Sequence, residues 1–591
     1  MMDADALLQA LRVRTPDGKP MSPPRGHIHD DLVMGAREHI RNSGVVDLVT
    51  QWRADDVSDR ARRGGRPPLV TDLAILTGVT VLGLLQEPIT LVETHRLLTA
   101  RITPAAARLL DVPARRPSYY AVTRAFARVA DVIDPRPFPT RRRPTWGRVQ
   151  EIDAARDPER VAELERRSRL VGDALIEASL SLAPAEISGW DGDVAIDGTK
   201  LPVWGRRGNP ALESRTDDTL MSPEVNAGWH AKTEVRRENS ETVAKPGAEY
   251  TFAYEAHIAM MVTGRDQPQA RLILGFSLDR PGVSPAQNAV KVLESIKSRG
   301  YKPGRLIVDR GYSSKRQEDF HRPVRGLGYD PVMDYQRTEL GIQGSYGGMV
   351  MLGGTYYCPA TPQPLRSLYA DRETKRIDDD TFGRRLDQLQ TYRMRPKNQW
   401  TPSSTSITFR CPAAGPRPLA LCPNKDRAGD RLAIARGKRR ALPIMAVPPE
   451  DRPPVCANRD SISVPVGDLP KQFQALAYLT DDWLDVYKPG RSQNEGLNGF
   501  VKDPTSTDIG NAGQFRFRGY GKRLIGTAIL FSIANLRILR AHVARTSRSS
   551  TPQTPRPRRG RPPAETFASR NQPDHGPPPG RADPEQPSHV A

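Results

Sequence analysis

Four cysteines in 591 residues are too few for a chain held together by disulfide bonds. Aromatic residues make up only 6%, so base stacking along a single strand is not the main signal. Acidic residues are in deficit, 68 against 88 Lys and Arg, which leaves a net charge of +20. That balance suits a polyanionic partner, most simply nucleic acid. Arginine far outnumbers lysine. Its planar fork binds phosphate in a bidentate manner, although a GC-rich genome produces the same bias. Long hydrophobic runs are missing too. The longest, LAILTGVTVLGLL (73–85) and LIGTAILFSIANL (524–536), have thirteen residues each, short of the ~20 that a bilayer-spanning helix needs. Both read as buried helices. MMDADALLQALRVRTPDGKP at the start lacks the apolar run of a signal peptide. The expectation is a soluble cytoplasmic protein with reduced thiols and no membrane partner.

The length allows several domains. Residues 1–135 read as a helical DNA-binding region. Thr71 is placed to cap TDLAILTGVTVLGLL. TPAAARLLDV (103–112) and SYYAVTRAFARVADVI (118–133) have the length and turn of a helix-turn-helix, with Ser118 as the second cap. Tyr119, Tyr120, Thr123 and Arg124 would then face DNA; an ordinary helical bundle fits the same pattern. Residues 136–189 are a basic, proline-rich linker and a long helix capped by Asp157. From 190 to 335 the pattern turns to α/β. Strands are expected at 193–204, 250–264, 270–279, 305–313 and 328–335, the second and third as a hairpin, with a helix at 284–300. That order makes a mixed sheet with flanking helices. Residues 336–470, rich in Gly, Pro and Arg, read as an insertion. Helical signal returns over 471–545, and 546–591 is a basic tail expected to be disordered.

Two carboxylates stand where an apolar strand meets a Gly-containing turn: Asp197 in AIDGTK and Asp309 in LIVDRGYS. Taken singly, each fits an aspartate capping local N–H groups. A third acidic residue lies in YKPGRSQNEGLNGFVKD (487–503). Arg491 and Glu495 are four apart and Glu495 and Lys502 seven apart, so all three share a helical face, with Asn498 between them. Pro489 and Gly490 read as the start of that helix, and Pro504 ends it. Gly496 and Gly499 each cost about 1 kcal/mol of helix propensity, which points to something packed close to the backbone. A solvated face with one Arg–Glu pair fits this stretch alone. Taken together, three hard oxygen ligands suit Mg²⁺ or Mn²⁺, and two such ions ~4 Å apart can serve an in-line phosphoryl displacement. Asp191 and Asp193 are nearby alternatives to Asp197, and Asp334 is one to Asp309. His257 reads as a core or supporting histidine.

At these residues the chain resembles the bacterial insertion-sequence transposases that carry an Asp-Asp-Glu triad on an RNase H-like fold. The motifs are AIDGTK, LIVDRGYS and YKPGRSQNEGLNGFVK. One large branch bears a Tyr, Arg, Glu, Lys signature around its glutamate, and Arg491-x3-Glu495-x6-Lys502 matches it. Three residues separate Tyr487 from Arg491 where the signature usually has two, which puts the role of Tyr487 in question. The resemblance covers roughly 190–545. The 186 residues from Asp309 to Glu495 (495 − 309) suit members with a domain inserted before the glutamate. The resemblance implies a DNA transposase that cleaves at transposon ends and transfers the strand into target DNA. Asp197, Asp309 and Glu495 would hold two Mg²⁺ or Mn²⁺ ions, and Tyr487, Arg491 and Lys502 would meet DNA. The partners would be terminal-repeat and target double-stranded DNA, with a dimer forming on it. A non-catalytic DNA-binding protein derived from a transposase is the alternative, and a nuclease without strand transfer a third reading.

Two further signals are weaker. Cys358, Cys411, Cys422 and Cys456 all fall in the insertion, and three precede proline. Four thiolates are the ligand set of a structural Zn²⁺, but no pair has tight spacing, and four small apolar residues fit as well. RRGRPP (558–563), with Arg561 at its centre, and RRGGRPP (62–68) resemble the AT-hook, which enters a narrow minor groove; a solvated basic segment is the other reading.

Overall fold

In the computed structural model, the alternating YTFAYEAHIAMM forms most of the longest strand of the protein. The structure describes residues 4–11, 27–57, 67–139, 142–208, 216–232, 235–238, 241–244, 249–264, 269–397, 404–415, 418–425, 445, 452–457 and 460–549. Strands are β1 (Val194–Pro202), β2 (Gly228–Lys232), β3 (Val235–Glu238), β4 (Glu241–Ala244), β5 (Glu249–Met261), β6 (Ile273–Asp279), β7 (Arg305–Val308) and β8 (Asp330–Met333). Every β5 residue from Phe252 to Met261 is buried, so both its faces are covered and Ala, Ile and Met stand where an exposed sheet would need polar residues.

The central sheet runs β2-β5-β1-β7-β8, with β6 also paired to β5. β5 is antiparallel to β1, β2 and β6, and β1, β7 and β8 are mutually parallel neighbours. β5 and β6 form the expected antiparallel pair. The sheet is mixed, as expected, and helices flank it. Phe276 of β6 meets the ring of Phe531 edge-on at 5.1 Å. Val292 of helix Pro285–Ser298 lies beside Gly275.

Three caps fall where the sequence placed them. Thr71 accepts from Ala74 N at 3.1 Å, Ser118 from Ala121 N at 3.2 Å and Asp157 from Glu159 N at 3.0 Å. The apolar segment 524–536 lies within helix Tyr520–Ser549. Its part Tyr520–Thr546 is long and apolar enough to cross a bilayer, and 78% of its most apolar window is buried inside the protein. A buried amide on this helix serves a neighbouring strand: Asn535 accepts from Ile273 N at 2.7 Å and donates to Ile273 O at 2.9 Å. A polar side chain in an apolar helix thereby satisfies the backbone of β6.

Contacts gather Met1–His542 into one compact unit. The N-terminal helices pack within it. His39 Nε2 is 2.7 Å from Ser532 Oγ, Ile89 bridges to Phe515, and Gly83 lies against Ile533 so closely that a Cβ would come within 2.7 Å of its Cδ1. The second unit is Val543–Ala591, of which Val543–Ser549, the end of a helix, is described.

Between β8 and the next long helix lie two small sheets: β9 (Gly344–Tyr346), β10 (Met349–Leu352) and β11 (Thr355–Tyr357), then β12 (Arg395–Pro396), β13 (Ser406–Arg410) and β14 (Ser461–Pro465). Gly347-Gly348 and Gly353-Gly354 join β9, β10 and β11, all four at positive φ, as tight hairpin turns require. Tyr356 meets Phe409 edge-on at 5.2 Å and links the two sheets.

Candidate active site

The parallel ladder places the first two carboxylates. Val194 pairs with Leu306 and Ala195 with Ile307, so the same offset carried two residues on sets Asp197 beside Asp309. Neighbouring strands lie ~4.8 Å apart. The β7–β8 ladder pairs Val308 with Met333, which likewise sets Asp334 on the far side of Asp309. Each aspartate does cap local backbone: Asp197 accepts from Gly198 N at 2.8 Å and Asp309 from Gly311 N at 2.9 Å. They also act on each other. Burial raises the Asp197 carboxyl above its ordinary range, the charge of Asp309 raises it further, and Arg491 opposes both.

The third carboxylate arrives on helix Asp481–Lys502. Pro489 and Gly490 do not open this helix; Pro489 lies inside it and Gly490 is buried. The reason is tertiary contact. A Cβ on Gly490 would sit 3.0 Å from Ile307 Cγ1 of β7, so glycine lets the helix lie directly on the strand that precedes Asp309. Gln493 pins the same turn, donating to Thr263 O at 2.9 Å and accepting from Thr263 N at 3.1 Å. Gly496 and Gly499 have no close packing partner; a Cβ on either would meet open space. The close approach expected for them belongs to Gly490.

Arg491 joins the two halves. Its Nη1 is 3.4 Å from Asp197 Oδ2 and its Nη2 is 3.3 Å from Glu495 Oε1. Asn498 donates to Asp197 Oδ2 at 3.4 Å and to Asn494 Oδ1 at 3.2 Å. Glu495 is otherwise open, its side chain 67% exposed. Among the described residues, no three His, Cys, Asp or Glu side chains are grouped so as to hold a metal ion; the guanidinium of Arg491 stands between Asp197 and Glu495. Oxygen donors on both sides of that cation, with one carboxyl raised by its neighbour's charge, are a set that fits hard divalent ions. Lys502 shares the helical face but stands ~10 Å farther along the axis than Glu495, with its Cγ beside Gly510.

Tyr487 stacks on Trp483, ring centroids 4.3 Å apart. Both line an open cleft of mixed charge, with Arg310, Arg372, Lys375, Arg376 and Lys488 set among Asp334, Glu373, Asp378 and Asp379. Asp334 is engaged there: it accepts from Arg310 Nε at 2.7 Å and from the Tyr478 hydroxyl. That leaves Asp309 as the strand-end carboxylate that faces Asp197. His257 lies opposite Gly198 on β5 and hydrogen-bonds Tyr312 Oη at 2.7 Å. Burial lowers it to about 4, so it is a neutral packing histidine near neutral pH.

The other sequence candidates lie elsewhere. Tyr119 and Tyr120 are exposed at 47% and 61%, and Arg124 stacks over the Tyr120 ring at 4.4 Å. This makes a basic, aromatic patch on helix Tyr119–Asp131. Arg561 and RRGRPP lie outside the described residues, as does 62–66 of RRGGRPP. Cys358, Cys411, Cys422 and Cys456 are all buried and unoxidised.

Sequence reasoning missed the bridge from Arg491 to Asp197, the pin at Gln493 and the cleft pairing of Asp334 with Tyr478. The spacing Arg491, Glu495, Asn498 was a usable signal for the first. Compared with protein-family models, curated proteins and solved structures, the chain matches none.

Proposed function

We propose that the protein is a DNA transposase of the Asp-Asp-Glu class, with Asp197, Asp309 and Glu495 as its catalytic carboxylates on an RNase H-like core. The observation that carries this reading is the β1–β7 register, which continued two residues sets Asp197 within β1 beside Asp309 just past the end of β7, with Arg491 bridging Asp197 to Glu495. A mixed sheet flanked by helices and a net charge of +20 support it. Divalent ions, Mg²⁺ or Mn²⁺, would supply activation of water and charge stabilisation for the attacking and leaving oxygens. The chain's own part is positional. β1 and β7 hold two carboxylates at strand spacing, and the helix brings the third. Arg491, released from the carboxylates, turns to phosphate, where its fork is bidentate. Lys502 lies farther along the same face, placed for the DNA backbone. Tyr487, stacked on Trp483 in the open cleft, would flank the bound strand, and Arg124 would hold DNA away from the site. The substrates are the element's terminal repeats and target DNA, joined by a dimer in the cytoplasm.

A non-catalytic DNA-binding descendant is the competing reading, favoured by Arg491 already neutralising Asp197 and Glu495. The test is Mg²⁺-dependent cleavage of DNA carrying the element's own ends, wild type beside Asp309→Ala, with binding measured in both. Cleavage by wild type alone, with equal binding, supports the transposase. Equal binding with no cleavage by either chain overturns it.

A further inference from the structure

The segment between β11 and β14 buries four cysteines, Cys358, Cys411, Cys422 and Cys456, although among the described residues no three metal-ligating side chains are already gathered around one point. Cys358 follows β11, Cys411 follows β13, and Cys456 lies on the short helix Pro454–Ala457 before β14. Their exposures are 3, 6, 7 and 9% in chain order. No CxxC pair announces this cluster in the sequence; the β13–β14 ladder and the link from Cys358 N to Tyr392 O at 2.9 Å assemble it.

Three of the four occupy the same local structure. Cys358, Cys411 and Cys422 each precede proline, and the carbonyl of each accepts from the residue three on: Thr361 at 3.0 Å, Ala414 at 3.0 Å and Lys425 at 2.9 Å. Proline fits the second position of such a turn. The turn aims the next free amide at the sulfur, and the backbone N–H of Ala360 bonds Cys358 while that of Ala413 bonds Cys411. Burial raises the Cys358 thiol to about 12 and raises Cys411 and Cys456 as well; the amide donors on Cys358 and Cys411 oppose that rise and favour thiolate, as a bound cation would. Every pair among the four is close enough to interact electrostatically, and the Lys425 ammonium faces Cys411 and Cys456. Four buried apolar residues would need neither the amides nor the cation.

We propose that Cys358, Cys411, Cys422 and Cys456 form a tetrathiolate zinc site that ties the two small sheets together. The strands there have two to five residues, and such short pieces need a staple. Zinc takes four thiolates tetrahedrally, and rotation of the side chains on their turns brings the sulfurs to ligand distance. Lys425 offsets the excess negative charge of the filled site. The ion is structural, since four protein ligands leave no open position. This inference does not rest on the transposase reading.

The test uses the full chain, purified without a metal-binding tag from zinc-replete cells, with metal content and thiol reactivity measured together. The expected result is one zinc per chain, released in step with titration of four thiols by a mercurial. Cobalt(II) in its place should show sulfur-to-metal charge transfer and the intense visible bands of a tetrahedral site. Cys411→Ser and Cys456→Ser should each lose most of the zinc, whereas Asp309→Ala should keep it. Should a cysteine variant fail to fold, the cobalt spectrum of wild type decides alone. Substoichiometric zinc together with weak octahedral cobalt bands overturns the proposal, as does zinc that survives modification of all four thiols.

Discussion

Asp197 and Asp309 stand on paired strands of a buried sheet, whereas Glu495 rides a helix face with its side chain 67% exposed. Backbone hydrogen bonds set the first pair, and no side-chain motion can separate two neighbouring strand ends. The second half depends on one close glycine contact, one glutamine and one arginine bridge. A site built this way holds two carboxylates on the sheet framework and leaves the third free to move with its helix.

The largest expected effect breaks the rigid half. Asp309→Ala and Asp197→Asn should each cut DNA cleavage by on the order of a thousandfold or more while leaving DNA binding within a few fold. Rates and filter-binding affinities on the same preparations check this. Retained cleavage would remove the strand pair from the chemistry.

Next comes the joint between the halves. Gly490→Ala would press a methyl to 3.0 Å from Ile307, and overpacking of this kind costs about 1–3 kcal/mol. Urea unfolding should show that loss, and cleavage should fall with it because the helix is displaced from β7.

The pH dependence separates the halves electrostatically. The Asp197 carboxyl is raised by burial, then by Asp309. The folded chain therefore holds this proton to higher pH than the unfolded chain, whose aspartates release near ~3.9. Its contribution to stability is full below that value and is lost as pH rises through the raised one. Asp197→Asn should flatten this part of the stability curve and should not destabilise the fold near neutral pH. Denaturant midpoints across pH in both chains measure it. A midpoint for the variant well below wild type at neutral pH would make Asp197 a structural anchor.

The smallest effect concerns the open half. Gly499→Ala adds a methyl where nothing stands within 4 Å, so helix propensity should raise stability by up to about 1 kcal/mol. The same methyl should weaken DNA binding several fold if a strand lies along this face as proposed. Stability gained with affinity unchanged would take DNA off it.

Much of the α/β core was legible in the amino-acid order. The runs VAI and LIV marked β1 and β7 because strand signals are local; the turn after LIV holds at Asp309, but the turn expected after Asp197 does not form, since β1 continues through Gly198 to Pro202 along β5. The caps Thr71, Ser118 and Asp157 were legible for the same reason. The start of the helix bearing Glu495 was not. Pro489 is a strong local stop signal, yet Trp483 packs against Tyr478 and Gln474 and the helix begins at Asp481. Nor could Gly490 be told from Gly496 and Gly499, since all three look alike until β7 lies beneath one of them.

Periodicity and turn chemistry, acting within a few residues, specified the strands, the caps and the shared face of Arg491, Glu495 and Asn498. Which carboxylates lie side by side, which glycine rests on β7 and how four distant cysteines all become buried required the folded chain. Those facts depend on a ladder offset of 112 residues between β1 and β7 (306 − 194) and on turns tens of residues apart, separations at which no local propensity acts.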